Sequence, residues 1–402
     1  MKRRLKIFFL SFYPPVPTMG GAMAYHRHFF QSNDFEVFIA TDDKKVTQYD
    51  LPCQVLIFDQ PRWLERATRS RFSLWAHTFK HLFAGYFIPK EVLQAARDFQ
   101  PDLIFTIAGS WDWTAQMSEI LARKLRVPLV GSFNDWFDFG TIIHPSLKPL
   151  VEKKFRSFYQ QCDLAFCTSE GMNEELGEHR RSHVLYPMGA LPHGNERETT
   201  PRARASSSFV VTFAGNLSDW YGVMLEQLIS LALERNSQIE FRIYGTNQSW
   251  SADFNRLARE RNIYRGFLPF EQLSEQMANS DALILPMGFG SESALIERTS
   301  FKTKFLDYLA FQKPILVWGP DYCSAVRVAR EFDSAEICTD ADPGKVLIIL
   351  EALARSPERQ KALIDQAAKM YEDRFHPAKI HAGFLNQMDQ LLRKFPQSLA
   401  HE

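Results

Sequence analysis

Residues 300–317 read SFKTKFLDYLAFQKPILV and contain one unit of the pattern that decides the fold. The stretch Lys302–Phe311 fits a helix, which the hydroxyl of Ser300 or Thr303 can cap. The apolar, β-branched run Ile315–Val317 follows and is typical of a buried strand. The segment therefore predicts a helix followed by a strand.

The same alternation extends along the chain in both directions. The first series of predicted strands is Leu5–Phe12, Glu36–Ala40, Val55–Phe58, Asp102–Ile107, Pro128–Ser132, Leu164–Thr168 and Val184–Tyr186. The second series is Phe209–Phe213, Phe241–Tyr244, Ile263–Phe267, Ala282–Leu285, Ile315–Val317 and Ala335–Ile337. The other predicted helices are Ala22–Gln31, Lys90–Phe99, Thr114–Leu125, Met224–Glu234, Ala252–Arg261, Phe270–Ala278, Cys323–Phe332, Gly344–Ser356, Pro357–Phe375 and Ile380–Lys394. Short strands alternating with helices predict parallel sheets covered on both faces.

A polar segment, residues 191–208, separates the two series and has the composition of a linker. We therefore predict an α/β protein with two doubly wound, Rossmann-like domains, residues 1–190 and 209–377, facing across a ligand cleft. The last helix, within residues 378–402, is expected to pack back on the N-terminal domain.

Composition excludes several classes of protein. Lys plus Arg equals Asp plus Glu at 47 each, so the chain lacks the basic excess of a nucleic-acid binder. The five cysteines are odd in number and form no C-x-x-C pair, which predicts reduced, buried thiols in a cytoplasmic protein. The apolar run near Met1–Leu10 is too short for a signal peptide and is interpreted as the first strand.

Two segments carry residues suited to a nucleoside diphosphate. Gly20 and Gly21 follow the first strand, where backbone N–H groups can approach a diphosphate, although a plain loop is an equal alternative. Lys304 lies in the first turn of the predicted helix, where a cation is unfavourable unless an anion is near. Asp307, three residues later, could bind ribose hydroxyls; the alternative is a Lys–Asp surface pair.

The chain resembles retaining glycosyltransferases of the GT-B fold, specifically glycosyltransferase family 4. The matching elements, in order, are Tyr13-Pro14-Pro15 with Gly20-Gly21, Phe213 to Asn216, Tyr244-Gly245, Gly266 to Leu273, Ser280-Asp281 to Pro286, and Ser300 to Pro314. A nucleotide-sugar epimerase can share this fold. The element Ser300 to Pro314 resembles that of transferases, which disfavours the epimerase alternative.

The resemblance assigns roles to residues of the C-terminal domain. It implies that residues 266–268 meet the nucleobase, that Asp307 binds the ribose, and that Lys304 binds the diphosphate together with Gly20 and Gly21. The donor-side residues that it implies are Gly20, Gly21, Gly215, Asn216, Gly245, Phe267, Leu268, Thr303, Lys304 and Asp307. It further implies retention of the anomeric configuration, no metal or other cofactor, and a leaving phosphate that guides the acceptor hydroxyl.

The sequence also departs from the family pattern. Asp307 replaces a Glu, Thr299 stands where many members have a sugar-contacting Glu, and the loop after Gly215 lacks the usual Arg and Lys. Glu292 or Glu297 could replace the missing Glu, and Lys304 is expected to carry more of the phosphate charge. The departures leave a second hypothesis open, a catalytically inactive GT-B protein that serves as a binding module.

The predicted acceptor side lies in the N-terminal domain. Asp135 follows a strand where relatives often carry His-Asp, so it is our candidate to orient or deprotonate the acceptor; a helix-cap or turn role is the alternative. Trp111 and Trp113, in the turn that begins at Ser110, and Trp136 are candidates to stack on a sugar.

Segment Arg62–Tyr86 interleaves basic and aromatic residues and contains one acidic residue, Glu65. Its basic residues are Arg62, Arg66, Arg69, Arg71, His77, Lys80 and His81, and its aromatic residues include Trp63, Phe72, Trp75, Phe79 and Phe83. The mixture suits contact with the inner face of a membrane and a lipid-linked acceptor, as in surface-polysaccharide synthesis. The alternative is a helical pair whose aromatic rings are core and whose arginines are solvated.

Overall fold

The computed structural model describes residues 3–17, 21–109, 111–138, 140–189 and 208–395. Its contacts divide the chain into two compact units. Unit 1 contains the residues up to Met188, the short piece Thr299–Phe301 and the residues from Ala378 onward. Unit 2 contains Gly189–Arg298 and Lys302–Pro377. Of the predicted linker, only Ser208 belongs to the described residues.

Unit 1 is built on a seven-stranded parallel sheet with the order β3-β2-β1-β4-β5-β6-β7. The strands are β1 Leu5–Leu10, β2 Phe35–Thr41, β3 Gln54–Ile57, β4 Leu103–Ile107, β5 Leu129–Phe133, β6 Leu164–Cys167 and β7 Ser182–Val184. The helices are α1 Gly21–Phe30, α2 Arg62–Thr68, α3 Ser73–Phe83, α4 Lys90–Phe99, α5 Trp113–Leu125, α6 Lys148–Gln161 and α7 Glu170–Leu176. Short 3-10 turns occupy Lys44–Gln48, Ala84–Tyr86 and Pro145–Leu147.

Unit 2 is built on a six-stranded parallel sheet with the order β10-β9-β8-β11-β12-β13. The strands are β8 Phe209–Asn216, β9 Ile239–Thr246, β10 Tyr264–Gly266, β11 Ala282–Pro286, β12 Ile315–Trp318 and β13 Glu336–Cys338. The helices are α8 Asp219–Glu234, α9 Ala252–Glu260, α10 Phe270–Ala278, α11 Ala294–Thr299, α12 Thr303–Leu309, α13 Ser324–Phe332, α14 Pro343–Ala354 and α15 Pro357–Met370. Helix α16, Pro377–Lys394, ends the described chain and lies in unit 1 from Ala378.

The order of strands reverses once in each sheet. In unit 1 the reversal lies between β1 and β4, and in unit 2 it lies between β8 and β11. The loops that follow these strands therefore diverge, and in open α/β sheets such a point forms the ligand crevice at the carboxyl ends of the strands. Of the candidate residues, Trp111 follows β4, and Gly215 and Asn216 end β8.

The strand predictions are confirmed in both series, with ends that shift by up to three residues. Two helix predictions need correction. The stretch Pro357–Phe375 is not one α-helix, because α15 ends at Met370 and Tyr371–Phe375 has the wider π-helical turn. Helix α12 is shorter than predicted because its first hydrogen-bonded turn begins at Thr303 and Lys302 takes an extended conformation before it.

Helix α16 contributes a ring to the core of unit 1. Phe384 is fully buried and meets Phe29, Phe35 and Phe105 with ring centroids 5.8 to 6.2 Å apart. Rings at these separations in edge-to-face geometry add to the free energy of burying their area. The end of the described chain is therefore part of the core of unit 1.

We expect Phe384→Ala to lower the free energy of unfolding by about 3–5 kcal/mol, because it leaves a cavity among aromatic rings. The exposed Asn386 on the same helix provides the control, and Asn386→Ala should change stability by less than about 0.5 kcal/mol. Urea denaturation of the three proteins measures this. Equal midpoints for Phe384→Ala and the unsubstituted protein would contradict the packing.

Candidate functional site

The site in unit 2 is built on two glycines at the ends of neighbouring strands. Gly215 of β8 and Gly245 of β9 are paired in register and have φ values of 148° and 155°. A Cβ at Gly245 would lie 1.8 Å from the carbonyl oxygen of Gly215. Only glycine can take this backbone at so close an approach, so the strand ends stay free of side chains there.

Lys304 of α12 occupies the space that Gly215 leaves open. A Cβ at Gly215 would lie 1.9 Å from Lys304 Cε and 2.7 Å from its Nζ. The ammonium also lies 5.6 Å from the ring centre of Phe213 and 5.2 Å from that of Tyr221. Gly215, a predicted donor-binding residue, has no side chain, and Lys304, the predicted phosphate-binding residue, therefore fits against it.

A second lysine close by is neutralised by an acid. Lys302 forms an ion pair with Glu297, Nζ to Oε2 2.9 Å, and the carboxylate of Glu297 is fully buried. Glu297 also accepts a hydrogen bond from the backbone N–H of Gly288 at 3.1 Å. Burial of an acid is tolerated when it is paired and hydrogen-bonded in this way, so Glu297 and Lys302 stabilise each other.

The charge of Lys304 is compensated only in part, by the charges of Asp307 and Glu297, which raise its pKa. Lys304 forms no ion pair within the described part of the chain, and burial together with the charge of Lys302 lowers the pKa of Lys304 to about 8. A partly buried ammonium beside another cation is held in an environment that favours an additional anion. This is the electrostatic signature of an anion-binding position.

The predicted nucleobase segment follows the edge strand β10. Gly266 takes a left-handed backbone with φ 79°, and the next residue, Phe267, is 59% exposed. Leu268 is partly buried beside it. An exposed ring at the carboxyl edge of a sheet is able to stack on a base.

The remaining donor-side candidates of unit 2 differ in exposure. Asn216 is exposed and its amide donates to Ser218 Oγ at 2.7 Å. Thr303 and Asp307 are partly buried on α12 with Lys304. Glu292 is exposed in the loop beside Gly290, whereas Glu297 is turned inward to Lys302, so of the two acids Glu292 is the one open to solvent.

In unit 1, the loops after β1, β4 and β5 come together around Asp135. Ser300 Oγ donates to Asp135 Oδ1 at 2.6 Å. A Cβ at Gly109 would lie 2.5 Å from the backbone nitrogen of Asp135, and a Cβ at Gly21 would lie 3.0 Å from Asn134 Nδ2. Within the described residues the next helical turn begins at Pro145, so Asp135 caps no helix, and the turn role is still an alternative.

Tyr13 is also close to Asp135. Burial raises the pKa of Tyr13, and the negative charge of Asp135 raises it further. A phenol and a carboxylate therefore share the carboxyl edge of β1 and β5. The predicted Gly20 and Ser110 lie outside the described residues.

The prediction that three tryptophans stack on a sugar is wrong for this structure. Trp111, Trp113 and Trp136 are exposed by no more than 2%. Trp111 Nε1 donates to the carbonyl oxygen of His81 at 2.9 Å, Trp113 Nε1 donates to Asp42 Oδ2 at 3.1 Å, and Trp136 packs on Phe155. Their polar atoms are satisfied inside unit 1, and their rings belong to its core.

Sequence reasoning missed three partners at these sites: Tyr221, the Lys302–Glu297 ion pair, and the hydrogen bond from Ser300 to Asp135. Lys302 was visible only as a departure from the family pattern. Its acidic partner lies five residues earlier, beyond the reach of a simple helical spacing rule. Among the described residues, no group of three or more His, Cys, Asp or Glu side chains is placed to hold a metal ion.

Residues 26–188, which lie in unit 1, match the family model described as Glycosyltransferase Family 4. No curated protein sequence is a significant match.

Solved structures match over nearly the whole chain. Anabaena HepE in complex with UDP-glucose has a TM-score of 0.67 at 14% identity, covering 96% of this chain and 100% of its own. Sucrose-phosphate synthase from Thermosynechococcus elongatus has a TM-score of 0.67 at 12% identity, covering 97% of this chain and 100% of its own. The α,α-trehalose-phosphate synthase of Burkholderia xenovorans has a TM-score of 0.62 at 12% identity, covering 96% and 100%.

At these identities the structural likeness establishes the fold, and it confirms the predicted GT-B class of two doubly wound α/β units. The family model that matches residues 26–188 is the one that the sequence resemblance predicted for the chain. Together they support the prediction of a glycosyltransferase enzyme.

We expect Lys304→Met to stabilise the ligand-free protein at pH 7 by roughly 1–3 kcal/mol, because it removes a penalised charge and keeps the length of the side chain. The pKa of Lys304 is lowered in the folded state, so the unfolded state binds the proton more tightly. The buried charge therefore lowers the free energy of unfolding below about pH 8, and this loss of stability disappears as pH rises to the usual pKa of lysine. The gain should therefore shrink towards pH 10.

Chemical denaturation at pH 7 and pH 10 measures both values. The exposed Lys361 on α15 provides the control, and Lys361→Met should have little effect at either pH. A Lys304→Met variant that is destabilised equally at both pH values would contradict the electrostatic account.

Proposed function

We propose that the chain transfers a sugar from a nucleoside-diphosphate sugar to a hydroxyl acceptor, with retention of the anomeric configuration and without a metal. The carrying observation is Lys304, whose side chain lies against Gly215 at the carboxyl end of β8 and whose pKa is lowered to about 8 by burial and by the charge of Lys302. The structures of Anabaena HepE, solved with UDP and with UDP-glucose, support a uridine nucleotide as the first donor to test.

In this proposal the diphosphate lies against Lys304 and the bare strand ends at Gly215 and Gly245. The base stacks on Phe267, and Asp307 accepts hydrogen bonds from the ribose hydroxyls. As the bond from the anomeric carbon to the phosphate oxygen breaks, negative charge grows on the phosphate, and the fixed ammonium of Lys304 stabilises it. The protein contributes by positioning the donor and by stabilising the charge of the leaving phosphate.

The acceptor side of the proposal belongs to unit 1. Asp135 orients the acceptor hydroxyl or receives its proton, and Ser300 fixes the carboxylate by donating to Oδ1. In the retaining course proposed here, the leaving phosphate accepts the proton of the acceptor hydroxyl and Asp135 orients that hydroxyl. The acceptor is a glycan, a lipid-linked sugar or another hydroxyl compound, and we favour a lipid-linked one in surface-polysaccharide synthesis.

We further propose a cytoplasmic protein that contacts the inner face of the membrane through Arg62–Tyr86. Within the described residues, no helix has both the length and the apolar character needed to cross a bilayer. The contact in this proposal is therefore peripheral.

The test of the donor site is thermal stability with UDP, GDP and ADP, for the unsubstituted protein, Lys304→Ala and the control Lys361→Ala. We expect a rise in melting temperature with at least one nucleotide, and about 10- to 100-fold weaker binding for Lys304→Ala, because a charge-assisted contact is lost. Lys361→Ala should bind like the unsubstituted protein. The donor proposal fails when no nucleoside diphosphate raises the melting temperature.

Turnover separates the enzyme from a binding module. We expect slow hydrolysis of a UDP-sugar, unaffected by EDTA, and proton NMR of the first product should show the anomer of the donor. A protein that binds UDP but hydrolyses none of a panel of UDP-sugars would be the catalytically inactive alternative.

Binding should also depend on pH. The ammonium of Lys304 is mostly charged at pH 7 and mostly neutral at pH 9, because its pKa is about 8. We expect the dissociation constant for UDP to rise by up to about tenfold between these values. Isothermal titration calorimetry checks this, and the profile should be flat in Lys304→Ala. A flat profile in the unsubstituted protein would show that the charge of Lys304 does not contribute to binding.

A further inference from the structure

Helix α3 presents its aromatic side chains to solvent. Phe72, just before the helix, is followed by Trp75, Phe79 and Phe83 at spacings of three, four and four residues, which place them on one helical face. Ala76, Thr78, His81 and Leu82 of the same helix are buried. The four rings are 37–56% exposed, so the alternative that they are core is wrong.

The exposed rings join into one surface, which we call the aromatic face. Its members are Trp63, Phe72, Leu74, Trp75, Phe79, Phe83, Tyr86 and Phe87, each 37–60% exposed. They are eight of the 15 large hydrophobic side chains that are exposed among the described residues. Such a concentration in 25 consecutive positions is a patch rather than the scatter of single residues expected on a protein surface.

Ring contacts connect part of the aromatic face. Trp63 of α2 meets Phe79 of α3 at 5.7 Å between ring centres, and Phe79 meets Phe83 at 5.3 Å. The ammonium of Lys154 on α6 lies 5.2 Å from the ring of Phe83 and 5.0 Å from that of Tyr86. The surface thus extends from α2 across α3 to the following turn.

The exposed charges beside the aromatic face are basic. Arg62, Arg66, Arg69 and Arg71 are exposed, and the one exposed acid among them, Glu65, is paired with Arg69 at 2.9 Å. Lys80 and His81, which the sequence placed in the same basic set, are turned inward. Lys80 Nζ lies 3.3 Å from Asp112 and 3.8 Å from Asp42, and His81 is buried. Within Arg62–Tyr86 the exposed charges are therefore the four arginines and Glu65, a net basic set.

The inward ion pairs hold the face in place. Lys80 ties α3 to acids that follow β2 and β4, and Trp113 Nε1 donates to the same Asp42. Because α3 is anchored to the sheet through its buried side, its aromatic side has a fixed orientation without a partner. A surface of this kind loses little conformational entropy when it docks.

We propose that the aromatic face docks onto the surface of a lipid bilayer that contains anionic headgroups. Indole, phenol and phenyl rings are suited to the headgroup level, and arginines beside them match the negative surface potential. A second copy of this chain is disfavoured as the occupant, because a twofold interface would bring the four arginines of one face towards those of the other. Membrane docking is inferred independently of the proposed function. Only the idea that docking brings the protein to a lipid-linked acceptor rests on that function.

The test is flotation of the full-length protein with vesicles of phosphatidylcholine alone or with about one third phosphatidylglycerol. Two double variants probe the face, Phe72→Ser with Trp75→Ser and Arg66→Glu with Arg71→Glu. Ile348→Ser, at a similarly exposed apolar position of unit 2, and Lys361→Glu are the matched controls.

We expect binding to the anionic vesicles, weakened by high salt, and at least tenfold weaker partitioning for each double variant. The two controls should bind like the unsubstituted protein. The UDP-induced rise in melting temperature should be unchanged in every variant, which shows that each is folded with its donor site intact.

Three results would overturn the inference: no binding to anionic vesicles, equal binding to neutral ones, or binding that both double variants retain. A dimer in solution that Phe72→Ser with Trp75→Ser converts to a monomer, measured by light scattering, would assign the face to a second copy instead. If vesicle binding fails while UDP still raises the melting temperature, the membrane inference fails alone. If UDP has no effect while vesicle binding behaves as expected, the donor proposal fails and the membrane inference stands.

Discussion

Parallel pairing is the constraint on which both units depend. A parallel strand cannot be followed by its neighbour through a tight hairpin, so every connection must return across a face of the sheet, and here helices fill most of those returns. All loops that leave the carboxyl ends of the strands are thereby collected on one edge. Where the strand order reverses, at β1 and β4 and again at β8 and β11, adjacent loops separate and side chains of distant segments can meet.

The contacts at the end of β8 follow from that geometry. The closeness of Gly215 and Gly245 is a property of two backbones that converge, and the absence of a side chain at Gly215 gives Lys304 its place. The ammonium of Lys304 is then too buried to be fully hydrated, and it is repelled by the charge of Lys302. Burial and the charge of Lys302 lower the pKa of Lys304, and a bound anion would favour its charged form.

The sequence predicted the strands well because fully buried parallel strands are continuous apolar runs between loops, a local signal. The family resemblance also singled out Gly215 and Asp135, and the start of the predicted helix singled out Lys304; their roles are still predictions. Prediction from the sequence failed where burial depends on long-range packing. Trp111 and Trp113 were expected at the surface and are core, while Phe72 and Phe79 are exposed. The helical spacing of the aromatic residues does not say whether that side of α3 is covered by the rest of the unit. The inward direction of Lys80 depends on Asp42 and Asp112, which are distant in sequence.

The position of Phe384 in the core of unit 1 has a consequence for the order of synthesis. Unit 2 is complete in sequence at Pro377, whereas unit 1 lacks a central ring until α16 has been translated. Domains generally fold as units while the chain emerges, so the unit that begins first along the chain is the one that finishes last. During that interval Phe29 and Phe105 lack one of their packing partners, and the nascent N-terminal half must avoid aggregation with an incomplete core.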